Sequence, residues 1–311
     1  MKIKTLIIGL GKIGLFYNFS NVNKNNSNHS DVFFNSKDFF LVGGVEIKKK
    51  NRNIFKKKYK LPCFKSINLA YKKTNPKLIV ISVSIDKFNT IYNSIYQNKI
   101  KPKAFIIEKP GAFDYSVLKK FYIYCKKNKI NIFMNYTRNF SDKLDVFKKL
   151  LNIKIIGKIK TIEIDYNKGL YNACGHFLSL LDRFLNFKNI KNINIHKFRK
   201  TEKDYFISFD IMLNKLLKFK VVRKNQNEKI SIFGTKGTIS FVTEKHKLFL
   251  IKKRKKVKIK NNFSDDLLNM VNYVKRNMNH KNKCYKIFER YIFTLYILNK
   301  ISKKKINYEK K

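Results

Sequence analysis

The chain has 311 residues, 44% of them hydrophobic, enough for about two domains of ~150 residues, each with a full core. Lys and Arg number 70 against 20 Asp and Glu, a net charge of +50. The basic residues recur along the whole chain, however, and their densest runs (Lys48 to Lys50, Lys56 to Lys58, Lys252 to Lys256, Lys303 to Lys305) lack the interleaved aromatics of a single-strand nucleic-acid binder. The charge therefore reads as a solvated surface with non-specific polyanion affinity, and no specific nucleic-acid partner is expected.

No apolar run approaches the ~20 residues of a membrane helix, so no membrane association is expected. Cys63, Cys125, Cys174 and Cys284 lie far apart without a CxxC pair, which fits free thiols in a reducing cytoplasm and not a metal or disulfide framework.

Thr5 to Gly9 reads as a short buried strand, and Lys12 to Asn18 can open a helix. Between them Gly9, Gly11 and Gly14 stand at G-x-G-x-x-G spacing. Gly9 permits the tight turn, Gly11 lets a pyrophosphate approach the backbone, and Gly14 allows close packing of helix on strand. The helix N-terminus offers unpaired N–H groups to phosphates. Ser20 to Asn28 is a long Asn- and Ser-rich loop, followed by His29 and a short helical segment over Asp31 to Lys37. Phe39 to Val45 is the second strand and ends at Glu46. A carboxylate there can accept both ribose hydroxyls of an adenosine and would repel a 2′-phosphate, which favours NAD over NADP. The lysines at 48–50 weaken that preference, so NADP stays a candidate.

Asn51 to Lys58 reads as helix, and Leu61 to Phe64 as a short extended piece. Ser66 caps a helix over Ile67 to Lys73. Leu78 to Ser82 is a continuous apolar run of the kind buried on both faces of a parallel sheet. Asp86 to Asn98 is helix, Ala104 to Ile107 strand, Tyr115 to Asn128 helix and Asn131 to Met134 strand. Strand and helix alternate to residue 134, which implies an α/β fold: a doubly wound parallel sheet over 1–134. The pattern then changes. Helices are expected over Asp142 to Leu151 and His176 to Leu185, a half-exposed strand over Lys158 to Tyr166, and five to seven strands from Ile193 to Ile259. Two closing helices, Phe263 to Asn277 and Tyr285 to Ile301, complete an α+β domain over 135–311 with a largely antiparallel sheet.

Lys109 follows a buried strand and is fixed by Pro110. At the carboxyl end of the sheet its amine can donate to a substrate oxygen and stabilise charge there, with Glu108 to orient it. The alternative is a strand-end lysine snorkelling to solvent. Gly175-His176 opens a helix, where the dipole favours a neutral imidazole able to take a hydroxyl proton. A structural histidine reads equally well there. His29, His196, His246 and His280 show no partners, and no metal-ligand spacing is present.

Gly9-Leu10-Gly11-Lys12-Ile13-Gly14, Glu108-Lys109-Pro110, Asn135-Tyr136-Thr137-Arg138 and Gly175-His176 occur in one order. Together they resemble the glucose–fructose oxidoreductase / inositol dehydrogenase family of NAD(P)-dependent dehydrogenases, over essentially the whole chain. Ser231 to Gly237 resembles a late strand–turn–strand of that family. The resemblance implies cofactor contacts at Gly9, Gly11, Lys12, Ile13 and Gly14 on the turn and at Glu46, Ser82, Glu108 and Asn135 on later strand ends. It implies Lys109 as catalytic lysine and His176 as proton-transferring histidine. Asn172 stands where the family usually has an aspartate, and Arg138 would lie beside nicotinamide and substrate. The substrate contacts would then be Lys109, Arg138, Asn172 and His176. Val83-Ser84 and Phe88 replace the family's usual Thr-Pro and following histidine. The implied activity is hydride transfer between nicotinamide and a secondary hydroxyl or ketone of a sugar, cyclitol or nucleotide-linked sugar, with homo-oligomerisation through the C-terminal sheet. The alternative is a non-catalytic dehydrogenase-fold protein with a basic polyanion-binding surface.

Overall fold

A computed structural model describes residues 2–17, 28–140, 155–182, 190–201, 204–242, 247–252, 255–259 and 266–306, together with 149 and 185. The chain divides into two compact units, Met1–Phe140 with Asp265–Phe293, and Ser141–Ser264 with Thr294–Lys311.

In the first unit, strands β1 (Ile3–Ile8), β2 (Phe39–Val45), β3 (Cys63–Phe64), β4 (Leu78–Ile81), β5 (Ala104–Glu108) and β6 (Asn131–Asn135) form one sheet in the order β3-β2-β1-β4-β5-β6. Every pairing is parallel. Between the strands lie helices α1 (His29–Phe34), α2 (Lys49–Tyr59), α3 (Ile67–Thr74), α4 (Phe88–Gln97) and α5 (Tyr115–Lys127). Crossover helices cover both faces, and β4 and β5 are accordingly apolar and buried throughout their central residues. This is the doubly wound sheet that the alternating pattern implies.

Local chemistry explains the element starts. Ser66 caps α3 by accepting from Leu69 N at 3.4 Å, as its position predicts. Asn28 caps α1: its Oδ1 accepts from Asp31 N at 3.0 Å, and its Nδ2 donates to Asp31 Oδ2 at 2.6 Å. That cap starts the helix at His29, two residues ahead of the predicted Asp31. The expected helix from Lys12 is instead a single wide turn over Lys12–Phe16, in which Phe16 N reaches back five residues to Gly11 O at 3.2 Å. The helix predicted from Asp86 begins as a 3₁₀ turn at Ile85–Lys87 and becomes α-helical only at Phe88. The Ser20 to Asn28 loop, apart from Asn28, and the expected helix over Asp142 to Leu151 fall outside the described residues, save position 149, which is helical.

The second unit holds β7 (Ile159–Tyr166), α6 (Gly175–Leu181) and seven further strands: β8 (Asn192–Lys200), β9 (Tyr205–Met212), β10 (Leu216–Val221), β11 (Lys229–Gly234), β12 (Thr238–Val242), β13 (Lys247–Lys252) and β14 (Lys255–Ile259). They form an eight-stranded sheet ordered β14-β13-β12-β11-β7-β10-β9-β8. Pairing is antiparallel except between β7 and β10. Along β7 the buried Ile162, Ile164 and Tyr166 alternate with partly exposed Thr161, Glu163 and Asp165, as a strand with one packed face must. The sheet is mixed and largely antiparallel, as expected.

Two helices complete the chain, α7 (Asp266–Asn277) and α8 (Lys281–Ile306), the latter longer at both ends than its apolar pattern suggests. α7 belongs to the first unit. Its Met270, Val271 and Val274 join one core cluster with Ile7, Val32, Phe33 and Phe39. A second aromatic layer of that unit centres on Phe121, whose ring stacks on Tyr92 at 3.9 Å and meets Phe105 edge-on at 5.2 Å. Phe121 is fully buried. Phe121→Ala should cost about 3–5 kcal/mol in urea unfolding, the range for an emptied aromatic site.

Candidate functional site

Register decides what meets at the carboxyl edge of the parallel sheet. Ile8 pairs with Val45 on one side and Ile81 on the other, Ile81 with Ile107, and Glu108 with Asn135. The residues that leave these strands, Gly9, Glu46, Ser82 and Lys109, therefore emerge in one row. Strand order reverses between β1 and β4, which makes this the switch-point crevice where open α/β sheets bind ligands.

The glycine turn fills that crevice closely in two places and leaves it open in a third. Gly9 has φ +91°, and its N–H donates to Val45 O at 2.9 Å. A Cβ on Gly14 would lie 2.1 Å from Gly9 O. Ser82 packs beneath, its N–H donating to Ile8 O at 2.7 Å. A Cβ on Gly11 would meet nothing within 4 Å, and its φ of −81° suits any residue. Glycine is not needed there for the fold, so the open space fits a ligand approaching the backbone. Lys12 and Ile13 are exposed on the same turn.

Glu46 is buried at the end of β2. Leu10 N donates to its Oε2 at 3.0 Å and Lys48 N to its Oε1 at 2.9 Å. These bonds fix the carboxylate against the glycine turn, and each oxygen keeps acceptor capacity for a ribose hydroxyl. Arg52 folds over the same loop, its Nη1 donating to Glu46 O at 2.9 Å and Ile47 O at 2.7 Å.

The Glu108-Lys109 corner is held by several buried contacts. The Lys109–Pro110 peptide is cis, and Tyr92 Oη donates to Gly111 O at 2.7 Å. Lys109 is half-buried. Glu108 Oε1 lies 2.7 Å from His29 Nε2 and also accepts from the Asn135 amide. Burial pushes the Glu108 carboxyl up, but the His29 bond and charge, then Asn135 and Lys109, outweigh it and hold it below the usual carboxylate range. Asn135 Oδ1 is buried and finds no hydrogen-bond partner among the described residues, an acceptor suited to an amide or hydroxyl of a ligand. Arg138 lies in the short turn Thr137–Phe140 that follows.

His29 is the residue that sequence reasoning missed: its partner stands 79 residues away, and no local pattern marked it.

Asn172 and His176 belong to the second unit. Gly169, at φ +91°, precedes a wide turn over Leu170–Cys174 that runs directly into α6. Gly169 has no side chain to cap that turn. Asp204, between β8 and β9, does so instead: Tyr171 N donates to its Oδ1 and Asn172 N to its Oδ2, each at 3.0 Å. Nothing in the sequence marks Asp204 for this task. Asn172 is exposed, and His176 is buried in the first turn of α6.

All four cysteines are free and buried. Burial pushes the thiols of Cys63 and Cys284 up to about 11 and raises Cys125 and Cys174 as well, which leaves no reactive thiolate at neutral pH. Among the described residues no His, Cys, Asp or Glu cluster could hold a metal ion, and no helix is long and apolar enough to cross a membrane.

An open glycine at the first turn, a buried acid at the second strand end and a lysine at the fifth stand together at the carboxyl edge of a doubly wound parallel sheet. Residues 3–136 match the model of the Gfo/Idh/MocA oxidoreductase family with NAD-binding Rossmann fold. Residues 3–136 are thus similar to the NAD-binding domain of the glucose–fructose oxidoreductase / inositol dehydrogenase family.

No curated protein sequence matches the chain. Solved structures share its fold over nearly their whole length. One is an oxidoreductase from Agrobacterium radiobacter in complex with NAD+, L-tartaric acid and magnesium (TM-score 0.72, 12% identity, 96% of this chain and 95% of that one). Another is a lysine-to-alanine mutant of a 3-ketoreductase from Actinomadura kijaniata with TDP-benzene and NADP (0.78, 7%, 97% and 98%). A third is the super-repressor mutant of Gal80p from Saccharomyces cerevisiae (0.74, 13%, 97% and 95%).

The Glu108 environment generates a pH dependence with a definite sign. Its carboxyl is held below the unfolded value of about 4.3, so its ionised form contributes stability above that pH, and the contribution is lost as pH falls through the lower folded value. Glu108→Gln should therefore be less stable than the unmodified protein at neutral pH, and the difference should shrink in acid. Urea unfolding at a series of pH values checks this; a difference that grows in acid would contradict it.

Proposed function

We propose that the chain is an NAD-dependent oxidoreductase acting on a secondary hydroxyl or its ketone. The observation that carries this reading is the single row formed by Gly9, Glu46, Ser82 and Lys109 at the carboxyl edge, with the open space at Gly11 on the turn above it. The backbone at Gly11, with Gly9, Lys12, Ile13 and Gly14 around it, would hold the pyrophosphate. Glu46 would accept the adenosine ribose hydroxyls, and Ser82 and Asn135 would border the nicotinamide half. NADP remains the other candidate, because Lys48 and Arg52 adjoin Glu46. The bound nicotinamide supplies or accepts hydride.

The chain's own residues do the rest. Lys109 donates to the substrate oxygen and stabilises negative charge there, and Glu108 orients it. His176 takes or returns the hydroxyl proton. Arg138 and Asn172 hold the remaining polar groups of the substrate. A sugar, cyclitol or nucleotide-linked sugar fits this set of donors, and the ligands of the two enzyme neighbours, L-tartaric acid and TDP-benzene, support hydroxylated and nucleotide-linked substrates. Free buried thiols fit a cytoplasmic location. Residues 1–134 would form the cofactor domain and 135–311 the substrate domain, with homo-oligomers assembled through the eight-stranded sheet.

The second reading is a non-catalytic protein on this fold with a basic polyanion-binding surface. The uncharged Asn172 and the likeness to a repressor support it.

Cofactor binding separates the two. NADH should raise the melting temperature of the protein, as a ligand of the native state must. Gly11→Val should abolish that shift while leaving the unliganded melting temperature near its original value, since the side chain enters open space. No shift with NADH or NADPH would favour the second reading, as would a DNA complex that survives physiological salt.

Once a screen of sugars and nucleotide-sugars yields a substrate, Lys109→Ala should lower turnover by about 10²–10³ and His176→Ala by about 10²–10⁴. His176→Ala should also flatten the pH–rate profile. Near-normal turnover in both variants would remove the proposed site.

A further inference from the structure

Three consecutive residues at the start of α1 bond to three separate places in the first unit. Asn28 Nδ2 donates to Tyr17 O at 3.3 Å, just past the glycine turn. Ser30 Oγ donates to Gly14 O at 2.6 Å, on the turn itself. His29, between them, meets Glu108 Oε1 at 2.7 Å. All three are fully buried. Asn28 and Ser30 thus fasten α1 to the pyrophosphate side of the crevice, and His29 fastens it to the strand end that carries Lys109.

A buried histidine–carboxylate pair is a poor choice for stability alone. Removing both groups from water offsets most of their attraction, and an apolar pair of similar size would pack there at less cost. The pair does something an apolar contact cannot. Together with the Asn135 amide it gives Glu108 Oε1 two directed donors, one from α1 and one from β6. Two donors on one oxygen fix the carboxylate's orientation as well as its position.

We propose that His29 is a positioning residue that couples the glycine turn to the Glu108-Lys109 corner, so that cofactor binding depends on the integrity of that corner. The role rests on the dinucleotide reading given above. His29 touches neither cofactor nor substrate in this role; it acts through Glu108 on one side and, through its neighbour Ser30, on Gly14 on the other. Loosening either joint lets the turn and the corner shift independently, and displacements of about 1 Å at such positions cost on the order of 10² in function.

The test is a double-mutant cycle on the full chain, with NADH affinity read by fluorescence titration at a temperature where every variant is folded by circular dichroism. His29→Leu and Glu108→Gln should each weaken NADH binding on the order of tenfold, and the double variant should bind no more weakly than the worse single one, a coupling within the range for contacting residues. His29→Gln, whose amide can still donate to Glu108, should recover most of the affinity. Should His29→Leu fail to fold, His29→Asn, whose amide stops short of Glu108, takes its place in the cycle. Unchanged NADH affinity in the His29 variants, or losses that simply add, would overturn the coupling while leaving the dinucleotide reading intact. Failure of the unmodified protein to bind NADH or NADPH would overturn that reading and this role with it. A purely structural histidine would lower the melting temperature without moving NADH affinity, and that outcome also overturns the proposal.

Discussion

The approach of Gly14 to the carbonyl of Gly9 is the contact on which the first unit's site depends. A Cβ there would stand 2.1 Å from that oxygen, a distance no side chain can take, so the turn closes only with hydrogen at that position. Closure brings the chain straight back over the end of β1 and sets it against Ser82 at the end of β4. It also presents Gly14 O to Ser30, and through α1 the closed turn reaches the Glu108 corner. The crevice at the strand-order reversal is thus narrow at Gly9 and Gly14 and open at Gly11. That difference separates the glycines whose hydrogen is required by packing from the one whose side-chain space is open.

Around this turn the buried polar groups are arranged as donors to carboxylates. Glu46 takes two backbone N–H groups, Glu108 takes an imidazole and an amide, and in the second unit Asp204 takes two backbone N–H groups. Each is a charge-assisted bond to an ionised oxygen, the stronger kind of hydrogen bond. Against a net charge of +50, these three acids sit at strand ends and turns where they fix geometry. The lysines stay largely on the surface. That division explains how so basic a chain keeps an ordered site: the cations are solvated and screened, and the carboxylates that matter are held by short-range directed donors.

Asp204 bears on the departure at Asn172. The family resemblance implies a carboxylate at that position, and this chain has an amide whose side chain is exposed. A carboxylate is nevertheless bonded to the backbone of that turn, delivered from the β8–β9 connection. It serves as the cap that Gly169 cannot provide. The negative charge near the start of the His176 segment thus lies on a strand connection and not on the turn's own side chain.

The sequence by itself determined what depends on short range. Continuous apolar runs defined the buried parallel strands, Ser66 and its successors a capped helix, alternation along β7 a one-faced strand, and the spaced glycines a tight turn after the first strand. These follow from local sterics and from the period at which side chains face a core, so they are legible residue by residue. The place of Lys109 was legible too, because the apolar run before it sets where the buried strand ends. Tertiary structure alone decided the partners. His29 finds Glu108, Asn172 finds Asp204, and Glu46 finds the backbone of Leu10, across separations that no local pattern encodes. The helix expected from Lys12 became a wide turn because Gly14 had to pack on Gly9 O, and packing against the strand overrode local propensity. Strand order and register, fixed by which apolar faces bury against which helices, then placed Gly9, Glu46, Ser82 and Lys109 along one edge.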